Sequence, residues 1–578
     1  MTSWKNKLVG AIATGAIVAG LMPVAAFGEG ALTKDATISV TGIDSGDTAA
    51  YYQVIQQNAD TNAWELKAPF TGLGLADLAG NAEVKTEHPT WTDVDYIIQD
   101  GISAEEAGVI AAKASGAGTA LEEASGTWSA TVNPGTYLVL VTPKNDNKDV
   151  VYKPIFVSAD YDQTTASPNT LAANTAELAT AVAKKSPLTL DKTAKQINDG
   201  DDEDSRGVAV GDTVEFTVET NVPSYTTNFT NPIFKLTDVL TQGLSLTKDT
   251  ITVEVAGYTE GTTINKGTDY TVAENDALDG YTINFTKAFL NRVTGNPKLT
   301  VKYKATITSD AATQVNEMDN TVKLNFSNTP SDTTGAGELK DKTRHYTFDI
   351  DGDVFGGKGQ PGGDTDKGRT EEVQKVYIEA NGTVKESEKA TEYTGTNALQ
   401  GAVFHLRTVA GDDTSALKFK NGVLSSAADA SADITSDEYG SIVMKGLDLG
   451  TYYLVEMSAP AGYSFEPNVE HPIVIAAKDW DVDDEGNAIL TGYTITIDGK
   501  NTSTYTVENA GEDLADTTTM SKVTVDSDSI TTLITNKKLG ILPSTGGSGI
   551  YFYLVLGAAV AGGAGYLLYK TKKQDDLA

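Results

Sequence analysis

The chain has 578 residues, with 44 basic against 79 acidic side chains, a formal net charge of −35 and no cysteine. Such an excess of negative charge repels phosphate backbones and anionic lipid head groups, so we expect no nucleic-acid partner. Without cysteine there can be no disulfide, no thiolate metal site and no cysteine nucleophile. The length predicts roughly three or four domains.

The first 28 residues have the features of a secretion signal. Lys5 and Lys7 form the charged start, residues 8–21 the apolar stretch, and residues 25–28 a small-residue cleavage region. The alternative, a buried helix, does not explain why these features follow in this order. We therefore expect residues 1–28 to be removed on export.

The other end of the chain has the composition of a membrane-spanning segment. Residues 550–569 contain no charge, and as a helix they are long enough to cross a hydrocarbon core of roughly 30 Å. The tail, residues 570–578, begins with lysines that should stay in the cytoplasm. Everything before the span is then outside the cell, although a simple membrane anchor would explain this much.

A five-residue motif lies immediately before that span: Leu542, Pro543, Ser544, Thr545 and Gly546. With the apolar span and basic tail behind it, this motif resembles the LPxTG sorting signal of sortase substrates. In that family a membrane transpeptidase cleaves between the threonine and the glycine and passes the threonyl carbonyl to an amine. The resemblance implies a secreted, cell-wall-anchored surface protein whose membrane span is transient.

Between the two signals the chain shows the period-2 alternation of β-strands. Every second residue is apolar in stretches 214–219 and 299–307, and Gly, Asn, Asp and Pro turns separate such stretches. One helix is predicted after Ser103, where Glu106 completes a capping box. We therefore expect an all-β protein of tandem immunoglobulin-like β-sandwich domains, with a short helical insertion in the first domain.

Changes in composition divide the mature chain into three domains. We place an N-terminal domain at residues 30–183 and a second domain at residues 186–331, after a lysine-rich boundary. Residues 331–337 have the composition of an exit linker. A third domain then spans residues 342–538.

Strand parity places polar groups on apolar strand faces in both later domains, because alternate residues of a strand point to the same side. Each of these domains has one amine, one acid and one carboxamide so placed: Lys192, Asp238 and Asn320 in the second domain, and Lys375, Glu456 and Asn536 in the third.

Burial of such groups favours a chemical use. Desolvation lowers the pKa of a buried amine and raises that of a buried acid. A neutral amine can attack a carboxamide carbon whose oxygen is hydrogen-bonded by the acid, and loss of ammonia then leaves an intramolecular Lys–Asn isopeptide bond. The alternative is that the lysines and asparagines are solvated strand ends and that the acids hold loops.

Two regions resemble the backbone, or shaft, pilins of Gram-positive sortase-assembled pili. Residues 453–463 resemble the pilin E-box, although Met457 replaces the usual threonine. Residues 211–216, with Asp238 and Asn320 downstream, resemble the isopeptide-forming second domain of major pilins. The resemblance implies Cna-type immunoglobulin-like domains in which acids catalyse the bonds. Asp238 would serve Lys192 with Asn320, and Glu456 would serve Lys375 with Asn536.

Shaft pilins usually have a YPKN-like motif near the first domain boundary, whose lysine receives the threonine of the next subunit. Lys184 and Lys185 lie at that place in this chain, without the usual neighbours. The resemblance implies that one of them is the polymerisation lysine. The alternative is that both are solvated linker lysines.

The sequence therefore predicts the structural shaft subunit of a covalently polymerised cell-surface pilus, with no enzymatic activity beyond autocatalytic bond formation. The predicted partners are sortase transpeptidases, other copies of the chain, accessory pilins, peptidoglycan and a host surface ligand. The alternative is a monomeric wall-anchored adhesin. An extracellular enzyme would be a third class, but the sequence contains no recognisable set of a nucleophile and a base. We expect no cofactor and no metal, since the four histidines are scattered.

Overall fold

The computed structural model describes residues 36–58, 63–144, 149–159, 179–197, 206–256, 264–275, 279–313, 318–351, 372–379, 387–389, 397–483, 486–508, 522–525, 530–539 and 549–575. The predicted signal sequence, residues 1–28, and the predicted sorting motif, residues 542–546, lie outside these ranges. β-Strands are the main secondary structure of the described residues, and many of the longer strands alternate between buried and exposed positions because they bury one face.

The N-terminal region contains two main sheets and a helical insertion. One sheet has the strand order β10-β1-β6-β5 and the other β3-β2-β7-β9. The helix Ala104–Lys113 begins with the predicted capping box, in which Ser103 and Glu106 each bond the other's backbone N–H. The strands are β1 Ala36–Thr41, β2 Thr48–Gln57, β3 Trp64–Leu66, β4 Thr119–Ala120, β5 Glu122–Ala124, β6 Thr127–Val132, β7 Gly135–Thr142, β8 Val150–Tyr152, β9 Ile155–Ala159, β10 Thr180–Val182 and β11 Lys185–Pro187.

The middle region is a sandwich of two antiparallel sheets. A sheet ordered β12-β13-β18-β15 faces a sheet ordered β16-β17-β14-β19-β20, and one apolar core fills the space between them. The strands are β12 Leu190–Gln196, β13 Thr213–Asn221, β14 Phe234–Leu240, β15 Leu244–Val255, β16 Tyr270–Asn275, β17 Gly280–Phe285, β18 Lys298–Ile307, β19 Met318–Phe326 and β20 Gly337–His345; a short helix, Lys287–Leu290, joins β17 to β18.

The third region has a large antiparallel sheet, ordered β27-β24-β29-β31-β32-β33-β34, and two smaller sheets around its own core. Its first long strand, β22, pairs in parallel with its last, β35. The strands are β21 Phe348–Ile350, β22 Val373–Ile378, β23 Ser387–Lys389, β24 Val403–Arg407, β25 Phe419–Lys420, β26 Val423–Leu424, β27 Ile434–Thr435, β28 Met444–Leu447, β29 Gly450–Ser458, β30 Tyr463–Ser464, β31 Glu470–Val482, β32 Ala488–Ile497, β33 Asn501–Glu508, β34 Lys522–Val525 and β35 Ile530–Lys538.

The structure places the borders between these regions differently from the sequence. Strand β11, residues 185–187, pairs with β8 and so extends the first region beyond residue 183. Strand β20 pairs with β19 along its whole length, so residues 331–336 form a loop within the middle sheet rather than an exit linker. The second domain therefore continues beyond residue 331, and residues 342–345 belong to it and not to the third.

The middle and third regions pack directly against each other. The Arg344 side chain, on β20, is 1% exposed, and its Nη1 lies 2.8 Å from Asp483 Oδ2 at the end of β31. Nearby, the guanidinium of Arg206 lies 4.4 Å from the ring centroid of Trp480. The third region thus covers the polar face of β20.

The C-terminal helix Gly549–Asp575 contains the predicted span, residues 550–569, and the start of the basic tail. Within the described part of the chain, no helix combines the length and the apolar character that crossing a membrane requires.

The buried Arg344–Asp483 pair should stabilise the contact between the two regions. Removing the guanidinium leaves a largely buried carboxylate without this partner, which typically costs about 1–3 kcal/mol. We expect Arg344→Ala to lower the thermal unfolding midpoint of the mature ectodomain in calorimetry.

Arg292→Ala is the matched control, because the Arg292 side chain is 48% exposed in its pair with Asp269. Exposed ion pairs contribute about 0–1 kcal/mol. An Arg344→Ala midpoint no lower than that of Arg292→Ala would show that the pair does not join the regions.

Candidate functional site

The three polar residues predicted to share the interior of the second domain do meet there. Lys192 comes from β12, in the four-stranded sheet, whereas Asp238 and Asn320 come from β14 and β19, which pair with each other in the opposing sheet. Each lies at an inward position of an alternating strand, and the burial pattern of β14 is fully alternating. The cluster therefore joins the two sheets across the core.

The atoms of this cluster are within hydrogen-bond distance of one another. Lys192 Nζ lies 2.5 Å from Asp238 Oδ2 and 2.9 Å from Asn320 Oδ1. The side chains of Lys192 and Asp238 are 0% exposed, and the whole of Asn320 is 0% exposed. The aromatic rings of Phe216 and Tyr303 lie 5.4 and 5.3 Å from the lysine nitrogen. The amine is thus held beside the carboxamide in a site without water access.

A fourth residue, Tyr303, also belongs to this cluster, and the sequence analysis missed it. Lys192 Nζ and Asn320 Nδ2 each donate to the Tyr303 hydroxyl at 2.7 Å, and that hydroxyl lies 2.9 Å from both carboxylate oxygens of Asp238. The alternation of residues 299–307 placed Tyr303 on the inward face, where it was counted as an apolar core residue. Its hydroxyl could have identified it as part of the cluster, because a buried tyrosine O–H needs a hydrogen-bond partner.

The environment of the cluster shifts both ionisable partners toward their neutral forms. Burial lowers the pKa of the Lys192 amine, and the neighbouring Asp238 only partly offsets this. Burial likewise raises the pKa of the Asp238 carboxyl, against the opposing effect of Lys192. Such shifts favour a neutral amine next to a protonated acid, the pair that nucleophilic attack on a carboxamide requires.

The third region holds the second predicted cluster. Lys375, on β22, and Asn536, on β35, lie on neighbouring parallel strands, and Glu456 reaches them from β29 of the large sheet. Lys375 Nζ lies 2.7 Å from Glu456 Oε2 and 2.7 Å from Asn536 Oδ1. Asn536 Nδ2 donates to Glu456 Oε1 at 2.6 Å. One carboxylate thus bridges the amine and the carboxamide.

The protonated form of the Lys375 amine is destabilised, as is that of Lys192. Burial lowers the pKa of Lys375 to about 8, even though its hydrogen bond to Glu456 acts in the opposite direction. The ring of Phe404 lies 5.6 Å from the lysine nitrogen, so the site is apolar on that side. A fraction of the amine is therefore neutral, and nucleophilic, near neutral pH.

The two candidate polymerisation lysines lie at the end of the first region. Lys185 begins β11, is exposed, and pairs with Asp44. Lys184 is half-buried, and its carbonyl accepts a hydrogen bond from the backbone N–H of Lys153 at 3.0 Å. Of the two side chains, that of Lys185 is the more accessible to another protein.

Three family models match separate parts of the chain. Residues 210–330 match a model described as Gram-positive pilin backbone subunit 2, Cna-B-like domain. Residues 382–485 match a prealbumin-like fold domain, and residues 534–576 match the LPXTG cell wall anchor motif. The first two matches contain Asp238, Asn320 and Glu456.

The chain is also similar to known surface proteins over most of its length. It is 24% identical to the trypsin-resistant surface T6 protein of Streptococcus pyogenes serotype M6, over 94% of this chain and 96% of that protein. The structure of the T6 backbone pilin of the same serotype superposes with a TM-score of 0.50 and 17% identity, covering 89% of this chain and all of that one. The full-length major pilin SpaD of Corynebacterium diphtheriae gives a TM-score of 0.40 at 17% identity, over 76% of this chain and 91% of that one.

The matches confirm the predicted fold, tandem immunoglobulin-like β-sandwich domains with a helical insertion in the first. The chain thus has a segment similar to a Gram-positive pilin backbone domain and one similar to the LPXTG cell wall anchor motif, and it is similar to a streptococcal surface protein over most of its length.

The lowered pKa of Lys375 should make an uncross-linked third domain more stable in alkali. Asn536→Ala removes the carboxamide, so Lys375 stays a free amine. Between pH 8 and 10.5 the unfolded chain binds the proton that the folded chain has released, so stability rises with pH by up to about 3 kcal/mol. Denaturant titrations of this variant at pH 7.5 and pH 10 measure the gain.

The double variant Lys375→Met/Asn536→Ala is the control, because it has no amine to titrate at this position. Both variants share every other titrating group, so only the difference between them reports on Lys375. Equal pH dependence of the two would contradict the lowered pKa.

Proposed function

We propose that the chain is the structural shaft subunit of a covalently polymerised pilus, closed internally by the isopeptide bonds Lys192–Asn320 and Lys375–Asn536. The single observation that supports this best is the assembly of an amine, an acid and a carboxamide within hydrogen-bond distance in both later regions. The match to the cell wall anchor motif supports the sortase-dependent part of the proposal.

Each bond forms by the same balanced reaction. The neutral lysine Nζ attacks the carboxamide carbon of the asparagine, the bond from that carbon to Nδ2 breaks, and ammonia leaves. One proton moves from Nζ to the departing nitrogen. Asp238 and Glu456 act as the catalytic acids, because each lies beside its amine and can exchange a proton with it, and Glu456 also contacts the carboxamide nitrogen of Asn536.

The positions of the two bonds suit a protein that bears tension. Lys192 lies on the first strand of the middle sandwich and Asn320 on the penultimate one, so a pull along the chain would bypass residues 193–319. Lys375 and Asn536 lie on β22 and β35, so the second bond would bypass residues 376–535. By analogy with disulfide loops, each closure also removes about 5 kcal/mol of unfolded-state entropy.

Assembly would use both ends of the mature chain. Sortase cleaves between Thr545 and Gly546 while residues 550–569 cross the membrane, and Lys184 or Lys185 of another copy accepts the threonyl carbonyl. A final transfer to peptidoglycan anchors the pilus. Accessory pilins and a host surface ligand complete the proposed set of partners, and the exposed Lys185 is the preferred acceptor because a transpeptidase must reach it.

The two bonds should form independently of each other. We expect the purified wild-type ectodomain to weigh about 34 Da less than its sequence mass, since each closure expels one ammonia. Asp238→Ala and Glu456→Ala should each restore about 17 Da, because each acid serves only its own centre. Intact-mass spectrometry measures all three proteins, and a variant that loses both bonds would contradict the independence of the centres.

Polymerisation should depend on the lysines at the end of the first region. We expect Lys184→Arg/Lys185→Arg to abolish the high-mass ladder in blots of cell-wall extracts and to leave anchored monomer, because arginine is not an acyl acceptor at neutral pH. Lys195→Arg is the control, because it makes the same change at an exposed position of the nearby strand β12. An unchanged ladder would place the acceptor elsewhere, and a single band from the wild type would favour the monomeric adhesin.

A further inference from the structure

We propose that Tyr303 is a catalytic residue of the second-domain reaction, in which its hydroxyl relays a proton from Asp238 to the departing nitrogen of Asn320. This inference rests on the proposed isopeptide bond between Lys192 and Asn320. It adds a fourth reacting group to a centre predicted to have three.

The two centres differ in how the acid reaches the carboxamide. In the third domain, Glu456 contacts both nitrogens itself, with Oε2 at 2.7 Å from Lys375 Nζ and Oε1 at 2.6 Å from Asn536 Nδ2. In the second domain, Asp238 contacts the amine of Lys192, but among the described residues it shares no hydrogen bond with Asn320. Aspartate is shorter than glutamate by one methylene, so a gap remains on the side of the leaving group.

The Tyr303 hydroxyl lies in that gap. It accepts from Asn320 Nδ2 at 2.7 Å and donates to Asp238 Oδ1 at 2.9 Å. Asp238 and Tyr303 together thus make the two contacts that Glu456 makes alone.

The relay balances the protons of the reaction. Attack by Lys192 Nζ makes Nδ2 basic, and Tyr303, whose hydroxyl donates to Asp238 before the reaction, turns its proton to Nδ2 as the carbon–nitrogen bond breaks. Asp238 returns a proton to the Tyr303 oxygen, and the carboxylate that results takes the proton from Nζ, which lies 2.5 Å from Oδ2. Ammonia leaves, and Asp238 and Tyr303 end in the states in which they began.

The surroundings of Tyr303 keep it in the form that such a relay needs. Burial and the nearby Asp238 raise its pKa well above the usual 10, so the phenol keeps its proton at neutral pH. Tyr303 is 1% exposed, so water does not compete with its hydroxyl for the departing nitrogen.

The test follows both bonds in one sample. The ectodomain is made by cell-free translation, stopped with urea at timed intervals and digested, and the branched Lys192–Asn320 and Lys375–Asn536 peptides are quantified by mass spectrometry. For Tyr303→Phe we expect the first peptide to form about a hundredfold more slowly, a typical loss for general acid–base catalysis. The second peptide should form at the wild-type rate and reports that the chain has folded.

Two further variants separate chemistry from packing. Tyr225→Phe removes another buried hydroxyl from the same core, where it donates to the Ile233 carbonyl, and should leave both rates unchanged. Tyr303→Phe/Asp238→Glu lengthens the acid so that it reaches Asn320 directly, as Glu456 reaches Asn536. It should regain at least about tenfold of the lost rate, as expected where an acid again reaches the leaving group.

The outcomes are distinct. A Tyr303→Phe rate within about twofold of wild type, an equal loss in Tyr225→Phe, or no gain in the double variant would each overturn the relay, since a general acid contributes far more than twofold. Absence of the Lys192–Asn320 peptide from the wild type would overturn the proposed bond itself, and the relay with it.

Discussion

Desolvation of an amine beside an acid and a carboxamide is the constraint on which the rest of the structure depends. A lysine ammonium buried in a β-sandwich would be expensive, and here Lys192 and Lys375 are both buried in cores rich in aromatic residues. Hydrogen bonds to Asp238 and Glu456 reduce that cost but do not remove it, since the pKa of each amine stays lowered. The neutral amine that results is a nucleophile held next to its electrophile, so one physical effect both strains the uncross-linked core and promotes the reaction that relieves it.

The same constraint connects the fold to the proposed load-bearing function. The middle bond would tie one sheet to the other, whereas the third-region bond would tie parallel neighbours within one sheet. In both cases the joined strands lie near the start and the end of their region, so tension would pass through the cross-link rather than through the sheet. Residues 321–374 lie between the two bonds, and neither bond bypasses them. Strand β20 lies in this segment, and the ion pair of Arg344 with Asp483 holds it against the third region.

Much of the strand structure and of the two candidate sites was predictable from the period-2 alternation of apolar residues. Alternation identified both polar triads, because a strand with a buried face leaves no doubt about which residues point inward. It failed for β20, where Arg344 is buried against Asp483 of the third region, because a strand covered by polar contacts has no apolar signature. It also counted Tyr303 as core, because the pattern reports the ring and not the hydroxyl. Which side chains touch across two sheets depends on how distant segments of the chain pack together. Strand alternation in a single sequence does not report this packing.

The most direct test of the account is tandem mass spectrometry of a digest of pili purified from the cell wall. The account predicts three branched peptides, joining Lys192 to Asn320, Lys375 to Asn536, and Thr545 to Lys184 or Lys185. Each of the two internal branched peptides should be about 17 Da lighter than the sum of its two linear peptides, because forming the bond releases one ammonia. Linear peptides with unmodified Lys192, Asn320, Lys375 and Asn536 would contradict it.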